Sequence, residues 1–295
     1  MANTLKFGNG EWYGKKDTIL AYNSENNNYK PLPFDFSRGS TPTGSKATTI
    51  NKDGLIETVG NNVPRIDYKD DSKGALLLEP SRTNYNPVSE DINTWSPVQV
   101  TTEKNYLSPD GTLNAVKITD NSVSSTHRVL LSTTTPSSGD FTYSIFLKKG
   151  TMADAVLNVY SNGTKAVATV DLENGTITAS GGGINPKIED YGNDWYRCSI
   201  GGSLASTSTT IYLYLSNSKN SYIGNEDFLY VAFAQLEVGT YPTSYIPTQG
   251  GVVTRLADSC SQTPPDGVIN SSEGVLYAEI SALAKNGVNR YFRLY

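Results

Sequence analysis

The chain of 295 residues has few of the residue types on which most enzyme sites depend. It contains one histidine, His127, and two cysteines, Cys198 and Cys260. A Ser–His–Asp triad would have to use His127, but the sequence has no G-x-S-x-G turn. Two separated cysteines supply neither a disulfide framework nor a zinc site. We therefore expect free thiols, with a disulfide between the two as the open alternative.

Basic charge and long apolar runs are also missing. The formal net charge is −5, whereas nucleic-acid binders usually carry a basic field, so no nucleic-acid partner is expected. The densest apolar run, at 228–234, is far shorter than the ~18 residues that cross a bilayer, so no membrane insertion is expected. The N-terminus lacks the basic start and apolar stretch of a signal peptide.

Small and turn-forming residues are abundant instead: Ser, Thr, Asn and Gly supply 114 of the 295 residues, and tyrosine occurs 19 times. This composition disfavours helices and favours short strands joined by turns. Apolar and polar residues alternate in segments such as 141–147 and 211–215, which is typical of half-buried strands. Asn-Gly pairs at 162–163 and 174–175 indicate tight hairpins. The sequence therefore predicts an all-β protein with an antiparallel jelly-roll-type β-sandwich.

Shifts in composition divide the chain into five segments. Residues 1–37 form a small irregular N-terminal region of short strands and loops, and residues 38–84 form a turn-rich connecting segment. The β-sandwich occupies 85–247. A linker rich in Gly and Pro follows at 248–270, and residues 271–295 begin a further β-sandwich. Two strands do not make a stable sheet by themselves, so we expect the parent polypeptide to continue further.

Several motifs follow one another in a definite order. They are FDFSR at 34–38, NKDGLIETVG at 51–60, VPRIDY at 63–68, LLLEPSRTN at 76–84, AQLEVGTYPTSYIPT at 234–248 and VTRLAD at 253–258. This series, over roughly residues 34–280, resembles tail-fibre and receptor-binding structural proteins of tailed bacteriophages. The resemblance implies an N-terminal segment that docks on the virion, followed by β-sandwiches like carbohydrate-binding modules and concanavalin. The family has no shared catalytic motif.

The resemblance also implies a location and partners. We expect a virion protein of the tail or fibre, assembled in the host cytoplasm, that contacts other tail proteins and forms a homotrimer. The main hypothesis is a structural, non-enzymatic protein that docks through its N-terminus and presents β-sandwiches for host-surface adhesion. One alternative is a module that itself recognises host polysaccharide. Another is part of a depolymerase with its active site beyond residue 295. No cofactor is expected, although loop oxygens could hold a structural Ca²⁺.

Aromatic side chains are the candidate glycan contacts, because an exposed ring offers an apolar face to a sugar. Tyr212 and Tyr214 share one face of a predicted strand and should point outward if the intervening apolar residues face the core. Tyr160, Trp195 and Tyr222 lie in neighbouring segments. The two strand tyrosines could instead pack under a loop or against a neighbouring chain, and Trp195 could be a core residue.

An aromatic-rich opening is the candidate virion-docking segment. Its candidate anchors are Phe7, Trp12, Tyr13, Phe34 and Phe36. A segment of about 35 residues is too small for a strong core of its own, and aromatic residues are frequent interface anchors. We therefore predict contact with another virion protein, with a small N-terminal core as the alternative.

Overall fold

The computed structural model describes the side chains of residues 36–39, 47–70, 72, 74–136, 138–216 and 220–261. Before residue 36 it describes strand backbone only. There β1 (Lys6–Phe7) pairs with β2 (Gly10–Glu11), and β4 (Thr18–Asn23) lies between β3 (Gly14–Lys15) and β5 (Asn28–Leu32). The further sandwich predicted at 271–295 lies outside the described residues.

Two six-stranded antiparallel sheets form the body of the protein. Sheet A contains, in spatial order, β12 (Ser96–Val98), β16 (Arg128–Thr134), β23 (Ser208–Tyr214), β18 (Asp154–Ser161), β19 (Thr164–Asp171) and β20 (Thr176–Ser180). Sheet B contains β13 (Val100–Tyr106), β14 (Ala115–Asp120), β25 (Phe228–Val238), β17 (Gly139–Lys149), β22 (Trp195–Leu204) and β21 (Ile184–Asp190). The prediction of an all-β antiparallel sandwich is confirmed.

The main core fills the space between the two sheets. Alternate residues of each strand point into it, including Leu157 and Leu213 from sheet A and Ile145 and Leu236 from sheet B. Strand β25 is buried on both faces, in keeping with its continuous apolar run. A register shift in its pairing with β17 marks a β-bulge, where Phe233 adopts a φ of +52°. The bulge keeps both faces of this central strand in apolar contact.

A tight hairpin sets the register of β18 and β19. The two turn residues, Asn162 and Gly163, have φ angles of +40° and +88°, and both angles are positive as a type I′ turn requires. The turn places Tyr160 opposite Lys165. The hairpin that the Asn-Gly pair predicts at 162–163 is therefore present.

The segments before and after the sandwich strands cover the outer face of sheet B. The hairpin of β7 (Ala47–Ile50) and β8 (Ile56–Val59) packs Ile50 and Ile56 against Phe146, Trp195 and Phe233 in a second apolar cluster.

The remaining short pairs are β9 (Ile66–Asp67) with β10 (Ala75–Leu76), β11 (Arg82–Asn84) with β26 (Val253–Arg255), β6 (Asp35–Ser37) with β27 (Ser259–Ser261), and β15 (Ser124–Ser125) with β24 (Tyr222–Ile223).

The predicted segment boundaries can be compared with this pairing. Strands β11 and β26 join the predicted connecting segment 38–84 to the predicted linker 248–270, and β6 and β27 join residues 35–37 to the same linker. The described part of the linker is therefore hydrogen-bonded to distant parts of the chain. The division into five domains stays a prediction.

Candidate functional site

The outer face of sheet A carries the strand tyrosines that the sequence analysis selected. In β23 the side chain of Ile211 enters the main core, while Tyr212 and Tyr214 point to the other side of the sheet, as the alternation predicts. Within the described ranges, the apolar residues that pack with them there are Val156 and Val167, from strands of the same sheet. This face is therefore unlike the outer face of sheet B, which a separate hairpin covers.

Strand pairing arranges this face in rows that cross the sheet. One row contains Val98, Arg128, Tyr214, Val156, Thr169 and Thr178, the next contains Ser96, Leu130, Tyr212, Asn158, Val167 and Ser180, and a third contains Ser132, Thr210, Tyr160 and Lys165. At ~4.8 Å per strand, a six-residue row extends over roughly 24 Å. The face is thus long enough for an extended ligand.

Two stacked rings and one guanidinium lie at the centre of these rows. The ring centroids of Tyr212 and Tyr214 are 5.9 Å apart, with 28° between their planes. The Arg128 guanidinium lies 5.4 Å from each centroid, and its Nη1 donates to Tyr214 Oη at 3.1 Å. Tyr214 is 6% exposed and Tyr212 is half-buried. Tyr214 therefore supports the group from within, and Tyr212 is its more accessible ring.

A buried amide lies next to Tyr212 in the same row. Asn158 is 8% exposed, and its Oδ1 has no hydrogen-bond partner among the described residues. A buried acceptor without a donor costs about 1–3 kcal/mol. Two positions further along β18, Tyr160 is 44% exposed. The face therefore combines aromatic rings with a buried amide oxygen that has no donor among the described residues.

Two carboxylates end this face on β18 and β19. Asp154 and Asp171 are directly paired across the strands. Burial and the charge of Asp171 raise the pKa of Asp154. Hydrogen bonds from the side chain and backbone of Asn174 lower the pKa of Asp171, whose two carboxylate oxygens are both occupied by this turn.

The other two predicted glycan contacts lie elsewhere. Trp195 is 3% exposed in the second apolar cluster, under the β7–β8 hairpin. It is therefore a core residue, which was the alternative interpretation, and not a surface glycan contact. Tyr222 Oη lies 2.7 Å from Asp120 Oδ2, and its ring centroid is 4.4 Å from that of His127. Burial and the Asp120 hydrogen bond raise the pKa of Tyr222. The structure thus brings together Tyr160, Tyr212 and Tyr214 only.

The predicted docking residues fall mainly outside the described part of the chain. Nothing is described of the side chains of Phe7, Trp12, Tyr13 and Phe34. Phe36 lies in β6, half-buried, opposite Cys260 of β27. The docking role of this segment stays a prediction.

The motifs on which the phage resemblance depends meet in one buried charge network, which sequence reasoning missed. Arg65 Nη1 and Arg255 Nη1 lie 2.8 Å and 2.5 Å from the same oxygen of Glu79. Arg65 also pairs with Asp258, which Arg38 contacts at 2.8 Å. These five side chains, the motif network, are at most 6% exposed. Burial raises the pKa of Glu79, but Arg255 and Arg65 outweigh it and hold that pKa below its usual range.

Amide side chains of these motifs, and of Asn86 two residues after the 76–84 motif, bond to distant backbone groups. Asn84 Nδ2 donates to the carbonyl of Ile246 at 2.9 Å, and Asn86 Nδ2 donates to that of Ala234 at 2.9 Å. Gln235 Oε1 accepts from the backbone N–H of Ile246 at 2.6 Å. The sequence carried a signal for the motif network, because charged residues inside otherwise apolar motifs are rarely buried unless they are paired. These motif residues hold the cover of sheet B in place.

Several other predictions concern metals, thiols and membranes. Both cysteines are free thiols, as expected. Within the described ranges, no group of three or more His, Cys, Asp or Glu side chains is arranged to hold a metal ion, and the structural Ca²⁺ stays an untested prediction. No helix in the part of the chain that the structure describes is long and apolar enough to cross a membrane.

The sheets define an all-β sandwich with one covered face and one face lined by tyrosines and polar groups. No family model matches the sequence, and no curated protein matches it. Among solved structures, the chain is similar to a carbohydrate-binding module (CBM6cm-2) from Cellvibrio mixtus lichenase 5A in complex with cellotriose. The identity is 10%, the TM-score is 0.29, and the match covers 56% of this chain and 100% of that one.

Two further solved structures are similar at the same level. One is CBM35 from Cellvibrio japonicus Abf62, with 16% identity, a TM-score of 0.28 and coverage of 54% of this chain and 98% of that one. The other comes from work on promiscuous carbohydrate-binding modules of the β-sandwich superfamily, with 11% identity, a TM-score of 0.31 and coverage of 75% and 86%. TM-scores this low support no statement about the function of this chain.

Proposed function

We propose that this chain is a non-catalytic β-sandwich module that binds a bacterial surface glycan on the outer face of sheet A. One constellation supports the proposal. The stacked pair of Tyr212 and Tyr214 lies beside Arg128 and the unpaired amide oxygen of Asn158. Within the described ranges, the apolar neighbours of the two tyrosines in their cluster are Val156 and Val167 of the same sheet.

Each part of this constellation matches the chemistry of a sugar. The C–H faces of a pyranose pack on an aromatic ring, and its hydroxyls both donate and accept hydrogen bonds. A sugar hydroxyl would supply the donor that Asn158 Oδ1 lacks. Tyr160 and Thr210, in the third row, extend the lining along the same face. On sheet B the β7–β8 hairpin packs on the outer face, but the half-buried rings of Tyr106, Phe228 and Tyr230 form a second aromatic group there. The Tyr106→Ala variant below tests that group.

The two carboxylates on this face support a binding role over a hydrolytic one. A glycosidase places one carboxyl on each side of the bond that it cleaves. Asp154 and Asp171 are neighbours across one strand pair, and both oxygens of Asp171 already accept hydrogen bonds within its own turn. This arrangement supplies no second group on the far side of a bound glycan.

The test is a binding assay on the full chain with an array of bacterial surface polysaccharides, followed by calorimetry on any glycan that binds. Tyr212→Ala should weaken binding at least about tenfold, because a central aromatic hot-spot contact contributes about 2 kcal/mol or more. Tyr106→Ala is the matched control, since Tyr106 is a half-buried tyrosine in β13 of sheet B. Circular dichroism and melting temperature verify that each variant folds.

Two outcomes would count against the proposal. Unchanged binding in a variant with both Tyr212→Ala and Tyr214→Ala would remove the face as the site. Release of reducing ends from a bound polysaccharide would favour the depolymerase alternative.

A second proposal concerns where the module works. We propose the tail or fibre of a phage virion, with docking through residues 1–37 and assembly as a homotrimer. The ordered motif series supports it. Virions made with residues 1–37 deleted should lack the protein, as measured by mass spectrometry of purified particles. Normal incorporation of the deleted chain would refute the docking role.

A further inference from the structure

Arg128 differs from most other arginines that the structure describes. Arg38, Arg65 and Arg255 each form an ion pair with a buried carboxylate. Burial lowers the pKa of Arg197, but interactions with Tyr191 and Glu237 outweigh it and raise that pKa. Arg128 forms no ion pair with any described residue, and its Nε is buried without a hydrogen-bond acceptor, as are those of Arg65, Arg82 and Arg255. The protein therefore carries, on the proposed binding face, a guanidinium whose charge has no carboxylate beside it.

The surroundings of Arg128 hold this guanidinium in a defined position. It lies 5.4 Å from the centroids of both Tyr212 and Tyr214, and one of its nitrogens donates to the hydroxyl of Tyr214. Contact with two aromatic faces fixes the plane of a guanidinium. A planar guanidinium with free donors fits a carboxylate through two parallel hydrogen bonds. Little side-chain entropy would then be lost when an anion binds.

The other charges of the face leave this position open to an anion. Lys165 is exposed in the third row, opposite Tyr160. Asp154 and Asp171 lie one row beyond Val156 and Thr169, at the end of the face. Arg128 lies two strands away from Asp154, with β23 between them. A ligand anion on Arg128 is therefore separated from Asp154 by about two strand spacings, roughly 10 Å, and from Asp171 by about three, roughly 14 Å.

We infer that the glycan bound by this face is acidic, and that Arg128 receives the carboxylate of a uronic acid or another carboxyl-bearing sugar. This inference rests on the proposed glycan-binding function and names the ligand class of the same site. In it, a sugar ring packs on Tyr212, a hydroxyl donates to Asn158 Oδ1, and the carboxylate accepts hydrogen bonds from the guanidinium of Arg128. Lys165 adds a second, exposed cation along the face.

The experiment compares acidic oligosaccharides with the same molecules after their carboxyl groups are reduced to alcohols. The probes are fragments of polygalacturonate, alginate and hyaluronan, each beside its reduced form, titrated into the full chain by calorimetry. We expect at least one acidic probe to bind about tenfold or more tightly than its reduced form. A hydrogen bond to a charged group is worth ~1.5–3 kcal/mol, which supports this factor. The preference should fall as salt is added.

Variants then assign the preference to Arg128. Arg128→Gln should remove the tenfold preference, so that the acidic and reduced probes bind this variant with affinities within about twofold of each other. Arg128→Lys should retain part of the preference, because it keeps the charge without the planar fork. Arg82→Gln is the matched control: Arg82 lies 5.3 Å from the ring of Tyr241, forms no ion pair with a described residue, and is outside sheet A.

The outcomes separate this inference from the proposed function. If acidic and reduced probes bind equally and Tyr212→Ala weakens both, the face binds glycans and the acidic class is wrong. If the acidic preference survives in Arg128→Gln, the role of Arg128 is wrong. If no probe binds and the polysaccharide array is also negative, both the inference and the proposed function fail.

Discussion

Glu79→Gln should destabilise the protein far more than the same exchange at the surface. The change removes one negative charge and almost no volume. Glu79 accepts from Arg65, from Arg255 and from the backbone and hydroxyl of Ser244, all within 2.8 Å. Loss of its charge removes the carboxylate that pairs with Arg255 and one of the two that pair with Arg65. Breaking a buried pair in this way costs about 3–5 kcal/mol.

Chemical and thermal denaturation of the full chain would measure this cost. At about 2–4 °C per kcal/mol for a body of this size, Tm should fall by roughly 6–20 °C. Glu173→Gln is the control, because Glu173 pairs with Lys149 at the surface, where both side chains are well exposed. An exposed pair is worth about 0–1 kcal/mol. Equal stability of the two variants would refute the view that the motif network fastens the cover of sheet B.

The same comparison has a defined pH dependence. Because the folded-state pKa of Glu79 lies below its usual value of 4.5, its charge stabilises the fold fully above that value. The contribution disappears as the pH falls through the folded-state pKa. The stability gap between the natural protein and Glu79→Gln should be constant near neutral pH and narrow below about pH 4.5. A gap that widens in acid would contradict the assignment.

Three smaller predictions concern a turn, the thiols and a loop. Gly163→Ala should lower the free energy of unfolding in urea by about 1 kcal/mol. An added Cβ there meets nothing within 4 Å, so the φ of +88° is the one source of strain. Gly251→Ala, in open space without a positive φ, is the control and should not lower the free energy of unfolding. Cys260, whose pKa burial raises to about 11, should alkylate slowly in the native protein, and the buried Cys198 should react only after unfolding, as mass spectrometry would record. Asp120→Asn should speed amide exchange in the loop before β25, since Asp120 Oδ1 accepts two backbone N–H groups there.

Local pattern was sufficient to predict the sandwich but not its cover. The alternation of β23 correctly assigned Ile211 to the core and Tyr212 to the opposite face, because side-chain direction in a strand depends only on position. Trp195 also occupies an alternating strand, yet it is buried on the outer face of sheet B. Its burial depends on the hairpin at residues 47–59, which is more than 130 residues away in sequence. No local pattern carries that information.

The motif network had the same limitation for a different reason. Arg65 and Glu79 are 14 residues apart, but Arg65 and Asp258 are 193 apart. Their pairing becomes visible only when β11 and β26 are brought side by side. From sequence, these segments are predicted to be a connecting segment (38–84) and a linker (248–270), because they are polar and rich in turn-forming residues. Buried charge pairs resemble solvated loop charges until the fold supplies the partner.

The polar groups on the outer faces of the two sheets therefore have different surroundings. On sheet B, the carboxylates of the motif network accept hydrogen bonds from arginines and from backbone and hydroxyl groups, so substitutions such as Glu79→Gln should change stability. On sheet A, Asn158 Oδ1 and Arg128 Nε remain without partners. The buried Nε atoms of Arg65 and Arg255 also have no acceptor, so an unpartnered atom by itself does not mark a site. The difference lies in charge: Arg65 and Arg255 pair with Glu79, whereas Arg128 lies beside two stacked tyrosines without an ion pair to any described residue. The proposal of an anionic ligand for sheet A depends on that difference.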